Sequence, residues 1–416
     1  MAVHDSDAPA RWRMLALLAC AELLGMSLWF AGSAAAPLLR TQWALSDAQV
    51  AWLTTSVQLG FVAGTALSAA LNLADIVPAG RFFSSCALLG AAANAGLVFA
   101  PSLASAVASR FLSGAFLAGV YPPAMKMAAT WFRERRGLAV GTVVGALTVG
   151  KAGPYLITAL PGADVRLITV LSSGSAVAAA VLVTLGYRDG PFAFGARPFS
   201  WARVGDVVRS RPWRLALGGY LGHMAELYSY WTWIPAFVAA SAASDRHALT
   251  APASPMVHVL SFAVIAVGGA GCVWGGLVAD RIGRPALVVR ALAVSATCCT
   301  IIGLLFGRSL WMLAPVALVW GFFIIADSAQ FSVLVTESVE SHAVGTAITL
   351  QVSLGFLLTT VTIQLVPPVV RTFGWPWVFV LLAVGPLLGI VAIRRLVRRD
   401  GADSPSGGGR WAKFSG

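Results

Sequence analysis

Gly275-Gly276-Leu277-Val278-Ala279-Asp280-Arg281-Ile282-Gly283-Arg284 is a short, charged, glycine-studded connection between two long apolar runs. Glycine lets two helices approach closely and lets the backbone turn tightly. The aspartate can accept bonds from free N–H groups at a neighbouring helix start. The arginines can pair with it or anchor at lipid head groups. Half a chain earlier a degraded copy, Leu73-Ala74-Asp75 followed by Gly80-Arg81, again separates two apolar runs. One signature met twice at this separation points to two copies of one membrane unit.

The duplication continues outside the connection. Ala21-Glu22-Leu23 and Trp29 return 204 positions later as Ala225-Glu226-Leu227 and Trp233, and Val140-Gly141-Thr142 returns at the same offset as Val344-Gly345-Thr346. Both copies run in the same direction, so their pseudo-axis lies along the membrane normal.

Composition agrees with a membrane solvent. The chain is 58% hydrophobic and 11% charged, where a soluble domain carries roughly 25% charged residues. Apolar runs of about 20 residues, each enough to cross a bilayer core, are read at about Met14–Ala36, Val50–Leu73, Phe82–Ala100, Leu103–Met127, Leu138–Leu160, Leu167–Tyr187, Leu215–Ala240, Met256–Ala279, Ala286–Phe306, Leu310–Val335, Val344–Val366 and Trp375–Ile393. Ala34-Ala35-Ala36 resembles a signal-peptidase site, but the first run is long and is interrupted by Glu22, so an uncleaved helix is expected. Residues 1–187 form the first unit, with about thirteen mobile residues at its start. Residues 188–214 form a cytoplasmic linker, 215–396 the second unit, and 397–416 a disordered tail.

The net charge of +12 is explained by topology rather than by nucleic acid. Arg11, Arg13, Arg81, the Arg133–Arg136 cluster, the linker, Arg281, Arg284, Arg290 and the tail fall on one side, against Arg40, Arg166, Arg246, Arg308 and Arg371 on the other. Lys and Arg concentrate on cytoplasmic loops. Both termini are therefore expected in the cytoplasm of a cell with the protein in its inner membrane, which requires an even number of spans. Cys20, Cys86, Cys272, Cys298 and Cys299 all lie in apolar runs without metal-ligand spacing and are read as packing residues.

With these residues in view, the chain resembles a transporter of the major facilitator superfamily over nearly its whole length. Gly276 to Arg284 is similar to that family's signature loop. The first-half copy departs from it, with Ile76 in place of an arginine and Val77-Pro78-Ala79 stretching the spacing. Arg110-Phe111-Leu112-Ser113-Gly114 resembles the fourth-helix motif. Gly150-Lys151-Ala152-Gly153-Pro154 partly resembles the fifth-helix motif of proton-driven drug exporters. The loop from Trp131 to Gly141 is similar to one in branches that move nitrate, organic anions and sugar phosphates. The resemblance implies an all-α membrane protein of that fold, with twelve transmembrane helices in two six-helix pseudo-symmetric bundles. It also implies a gating role for Asp75, Arg81, Gly276, Asp280, Arg281, Gly283 and Arg284.

The chemistry is sought in ionisable residues inside apolar spans, each costing roughly 3 kcal/mol at the helix centre unless paired or hydrated. Glu22, Met26, Trp29 and Ser33 share one helical face, and so do His223, Glu226, Tyr230 and Trp233. These faces suit a water-filled cavity; the plainer reading is a polar clamp between helices. His223, one turn from Glu226, can share a proton with it. Lys151 lies mid-span before Pro154, and needs either an acid such as Glu22 or an anionic substrate. Arg110 is a proton-coupling candidate whose alternative is an ion pair or a carbonyl clamp, and Asp327 is a gate or proton-site candidate whose alternative is a pair near the interface. Gln351 is a hydrogen-bonding candidate for substrate. Tyr155, Tyr228 and Trp231 are candidates to line the path, against simple packing.

Three buried acids facing Lys151, Arg110 and a histidine fit a small anion or zwitterion better than a lipophilic cation. The expected function is therefore alternating-access secondary transport by a functional monomer. It is expected to be proton-coupled and to move such a solute across the bilayer. A proton-driven drug or metabolite efflux antiporter of the same fold is the alternative, and a non-transporting membrane sensor a distant one. No phosphate-binding loop, nucleophile–base set or metal-ligand set is found, so neither an enzyme nor a cofactor is expected.

Overall fold

The computed structural model describes residues 8–132, 135–192, 199–244 and 255–402, with the backbone alone at a few helix positions including Asp75 and Arg136. The first seven residues, Arg133, Glu134, Arg197, Arg246 and most of the tail lie outside the described residues. Every element is helical.

The first apolar run is α1 (Ala8–Met26) and α2 (Ala31–Trp43), followed by α3 (Asp47–Ala70) and a four-residue turn of helix, α4 (Leu73–Ile76). Next come α5 (Ala79–Ala95), α6 (Leu103–Leu117) with α7 (Tyr121–Ala129), α8 (Arg136–Ile157) and α9 (Val165–Gly186). The linker holds α10 (Trp201–Arg209), and α11 (Arg211–Ser244) follows at once. The rest is α12 (Pro255–Ala266) with α13 (Gly268–Ile282), α14 (Arg284–Ile302), α15 (Leu310–Ala326) with α16 (Ser328–Glu337), α17 (Val344–Phe373), and α18 (Trp375–Leu382) with α19 (Val384–Ala402). Among the described residues, 11 helical stretches are long and apolar enough to cross a membrane. The 34 residues of α11 have the length but carry a buried polar set, including Tyr220, His223, Glu226, Tyr228 and Tyr230.

Two expectations are corrected: residues 8–13, expected to be mobile, open α1, and residues 397–402, expected in a disordered tail, close α19; the linker, in addition, contains a helix. The linker helix was hidden because only Val207 of α10 is buried, so its pattern reads as polar.

Starts and breaks have local causes. Ser46 and Gln49 form a capping box at α3, and Asp164 accepts from Leu167 N–H at α9. Pro122 and Pro123 open α7 and supply no N–H to the preceding turn, which ends α6. Ser27 Oγ donates to the Leu24 carbonyl and to the Ser172 carbonyl at the four-residue break between α1 and α2.

Helices before α10 pack mainly on one another, as α3 on α6, α5 on α9 and α1 on α8 and α9. Those after it do the same, as α11 on α17 and α19 and α14 on α15 and α19. The two groups meet along two seams, α8 against α12 and α13, and α3 against α17.

Candidate functional site

At the α8 seam stands Lys151, 2% exposed. Its ammonium donates to the Tyr228 hydroxyl at 2.6 Å and lies 3.9 Å from the Trp29 ring centroid, 4.8 Å from Tyr228 and 4.9 Å from Trp231. More rings continue the cage: Phe30 against Trp231 and Tyr155, and Phe61 and Phe356 against Trp29. The cage therefore draws on both halves of the chain. A desolvated cation–π contact contributes about 2 kcal/mol, while burying an ammonium costs several.

Glu22 is the nearest chemical answer. It is fully buried on α1, Lys151 is the cation that acts on it, and neither carboxylate oxygen has a hydrogen-bond partner among the described residues. No ion pair within 4.0 Å joins the two. A buried carboxylate and a buried ammonium thus stand close in the fold but unjoined. The same condition holds for the Trp29 and Trp231 indole N–H groups and for the amides of Gln58 and Gln351, which are buried and unpartnered. An unmade bond in a dry interior costs about 1–3 kcal/mol, so water or a ligand is the expected partner.

Arg110 is a carbonyl clamp. Its guanidinium donates to the Leu28 carbonyl at 2.8 Å, the Trp29 carbonyl at 2.5 Å and Asn94 Oδ1 at 2.6 Å. At the break between α1 and α2 the Leu28 carbonyl keeps only a long 3.4 Å bond from Ala31 N–H, and Arg110 supplies further donors to it and to the Trp29 carbonyl. Gly32 leaves room for it, since a Cβ there would stand 2.7 Å from Arg110 Nε.

The face of α11 chosen from the sequence turns away from Lys151. Glu226 Oε1 accepts from Ser295 at 2.6 Å, Trp320 Nε1 at 2.8 Å and Cys299 at 3.1 Å, on α14 and α15. Tyr230 donates to the carbonyls of Val264 and Ala317, and Trp233 Nε1 to that of Ile363. His223 Nδ1 lies 3.0 Å from Asp327 Oδ1, at the break between α15 and α16, rather than on Glu226. At about 100° per residue, Glu226 and Tyr228 project some 200° apart. Tyr228 and Trp231, candidates from the sequence to line the path, are the α11 side chains that hold Lys151. Asn94, Gln58, Phe61 and Phe356 carried no sequence signal that separates them from core.

The signature loop lies at one end of the α8 seam. Gly137, Gly141 and Gly145 of α8 face Gly276, Cys272 and Gly269 of α13; a Cβ on Gly141 would sit 2.8 Å from the Cys272 carbonyl, and one on Gly145 2.7 Å from that of Gly269. Asp280 brings its carboxylate oxygens within 3.5 and 3.8 Å of a Cβ on Gly137, so negative charge meets the start of α8. Gly283 takes φ 85°, and Arg284 pairs with Glu337 at 3.5 Å. Arg281 and Arg81 are exposed, and the Asp75 side chain lies outside what is described. On the other seam Gln364 donates to Thr55 at 3.2 Å.

The sequence profile of the Major Facilitator Superfamily matches residues 17–363. The chain belongs to this superfamily. Among solved structures, a bacterial homolog of the human lysosomal transporter Spinster, in an inward-facing and occupied conformation, is similar in fold. Its TM-score is 0.70 at 16% identity, over 95% of this chain and 99% of that one. No curated protein matches by sequence. For a superfamily member, then, the buried charges have three settings: Glu22 and Lys151, unjoined near the meeting of the halves; Arg110 and Glu226, each with several hydrogen bonds inside one half; and His223 with Asp327, whose Nε2 and Oδ2 atoms have no partner among the described residues.

Proposed function

We propose that this superfamily member is a twelve-span secondary active transporter with α11 as its remaining span, built as two six-helix bundles that rock about a shared site. Its substrate is a small anionic or zwitterionic solute, and its coupling ion is the proton. The protein works as a monomer in the inner membrane with both termini cytoplasmic, in keeping with the arginine distribution. The carrying observation is Lys151: a cation without a salt bridge, held by aromatic rings from both halves. A substrate carboxylate or phosphate would supply the missing counter-charge. Glu22, the adjacent carboxylate without a partner, is the proton site, and Asp280 with Arg281 and Arg284 forms the gate.

The test is uptake into proteoliposomes under an imposed pH gradient, with anions and zwitterions first screened by thermal shift at two pH values, since a ligand stabilises the fold it binds. Lys151→Ala should abolish gradient-driven transport. Normal transport by that variant would sink the assignment. The ring-lined surroundings also favour a second reading, export of an aromatic metabolite or drug by proton exchange. Vesicles of defined orientation separate the two by the direction of flux.

A further inference from the structure

Where α11 begins and α19 ends, a cleft of about 730 Å³ is lined by Arg211, Arg214, Leu215, Arg395, Arg398 and Arg399. Its lining has five guanidinium groups and no acid. Arg211, Arg214, Arg395 and Arg398 are exposed, and none of these four has a carboxylate within 4.0 Å among the described residues. Two of them also stand in the first turn of α11, which has no acidic residue and where the helix dipole already disfavours cations.

A second feature runs into the same cleft. Trp377, Leu381, Val384, Leu388 and Val391 are 44–57% exposed or, for Leu388, 63%. They are spaced three or four residues apart, so they form one stripe, and Arg395 and Arg398 continue it. In a membrane-embedded superfamily member this stripe faces acyl chains, and the arginines at its end stand at head-group depth. An aqueous anion would need only the cleft. The continuous run from apolar stripe to guanidinium cluster is the shape of an entire lipid.

We propose that this cleft binds the headgroup of an anionic phospholipid, its phosphodiester held by the arginines and an acyl chain laid along the α18–α19 stripe. Arginine grips phosphate in bidentate fashion, and basic pockets between membrane helices take lipid head groups in this way. A zwitterionic headgroup carries an ammonium that Arg211, Arg214, Arg395 and Arg398 repel, so selectivity follows net headgroup charge. The site is separate from Lys151 and does not depend on the transport reading.

Native mass spectrometry of the full chain in neutral detergent tests it, with phosphatidylglycerol and phosphatidylcholine supplied together. Phosphatidylglycerol should be retained in preference by about tenfold. The preference should fall below about twofold when Arg211, Arg214, Arg395 and Arg398 are all changed to Gln. Changing Arg11, Arg13, Arg81 and Arg290 to Gln, the same charge removed elsewhere, should leave it intact. Equal retention of the two lipids, or a preference that survives the first set of changes, overturns the proposal. So does displacement of the lipid by millimolar inorganic phosphate, which would mark a free-anion site.

Discussion

Glu22 and Glu226 stand at matching places in the two repeats, yet one is unpartnered beside a buried lysine and the other accepts three hydrogen bonds. The matching tryptophans differ in the same sense. Trp29 lies over the Lys151 ammonium with its N–H unmet, while Trp233 donates to the Ile363 carbonyl at 3.0 Å. The backbone around them differs too: the first repeat breaks between α1 and α2, where Arg110 binds the Leu28 and Trp29 carbonyls, and the second continues unbroken as α11. Duplication supplied the same residues twice. The surroundings left one copy with bonding capacity to spare and used the other to tie α11 to α14 and α15.

The strongest way to break this contrast is at Lys151. Lys151→Met removes the ammonium but keeps an unbranched chain among the rings. Transport should fall by at least about a hundredfold, corresponding to roughly 2.7 kcal/mol of lost transition-state binding. The melting temperature should hold or rise, because an apolar side chain replaces an unpaired buried charge. A variant that unfolds while the residual folded fraction still transports would make Lys151 a packing residue.

The two glutamates should then separate cleanly. Glu22→Gln should leave the melting temperature nearly unchanged and remove the dependence of transport on an imposed pH gradient. Glu226→Leu should do the reverse. It strands the donors Ser295 and Cys299, while Trp320 keeps its bond to Ser295 Oγ at 3.0 Å; at about 1–3 kcal/mol for each buried group left unsatisfied, thermal unfolding should move down by several degrees. If Glu226→Leu instead abolishes proton coupling in a stably folded protein, the repeats share their chemistry after all.

The seam gives a smaller, conformational effect. On Gly145→Ala the new methyl would stand 2.7 Å from the Gly269 carbonyl, so α8 must move off α13. Spin labels on the signature-loop ends of α8 and α13 should report a wider separation by double electron–electron resonance. An unchanged distance distribution would mean that the seam accommodates a methyl and is not a close backbone contact.

Much of the fold was legible, because a bilayer enforces long apolar runs and each run found here is a helix. The breaks were not, since they depend on partners far along the chain: nothing local at Leu28 or Trp29 announces that Arg110 will satisfy their carbonyls. Lys151 was legible as a costly buried cation. Its holders Trp29, Tyr228 and Trp231 were each legible as candidates to line the path, but not as one cage, because Tyr228 and Trp231 lie opposite the acid that marks the other face of α11. Two identical triplets in the repeats carry no information on which glutamate will meet three donors; only tertiary packing decides that.

The finest test returns to the tryptophan pair. Trp233→Phe removes a donor and leaves the Ile363 carbonyl unmet, so stability should fall by about 1 kcal/mol. Trp29→Phe removes an N–H that has no partner among the described residues, so no such loss is due. The smaller ring is a weaker cation–π partner for Lys151, and the change should appear in the apparent substrate affinity instead. Equal melting shifts in the two variants, with affinity unaltered in both, would mean that the repeat-related tryptophans do the same job and that the asymmetry of the glutamates stands alone.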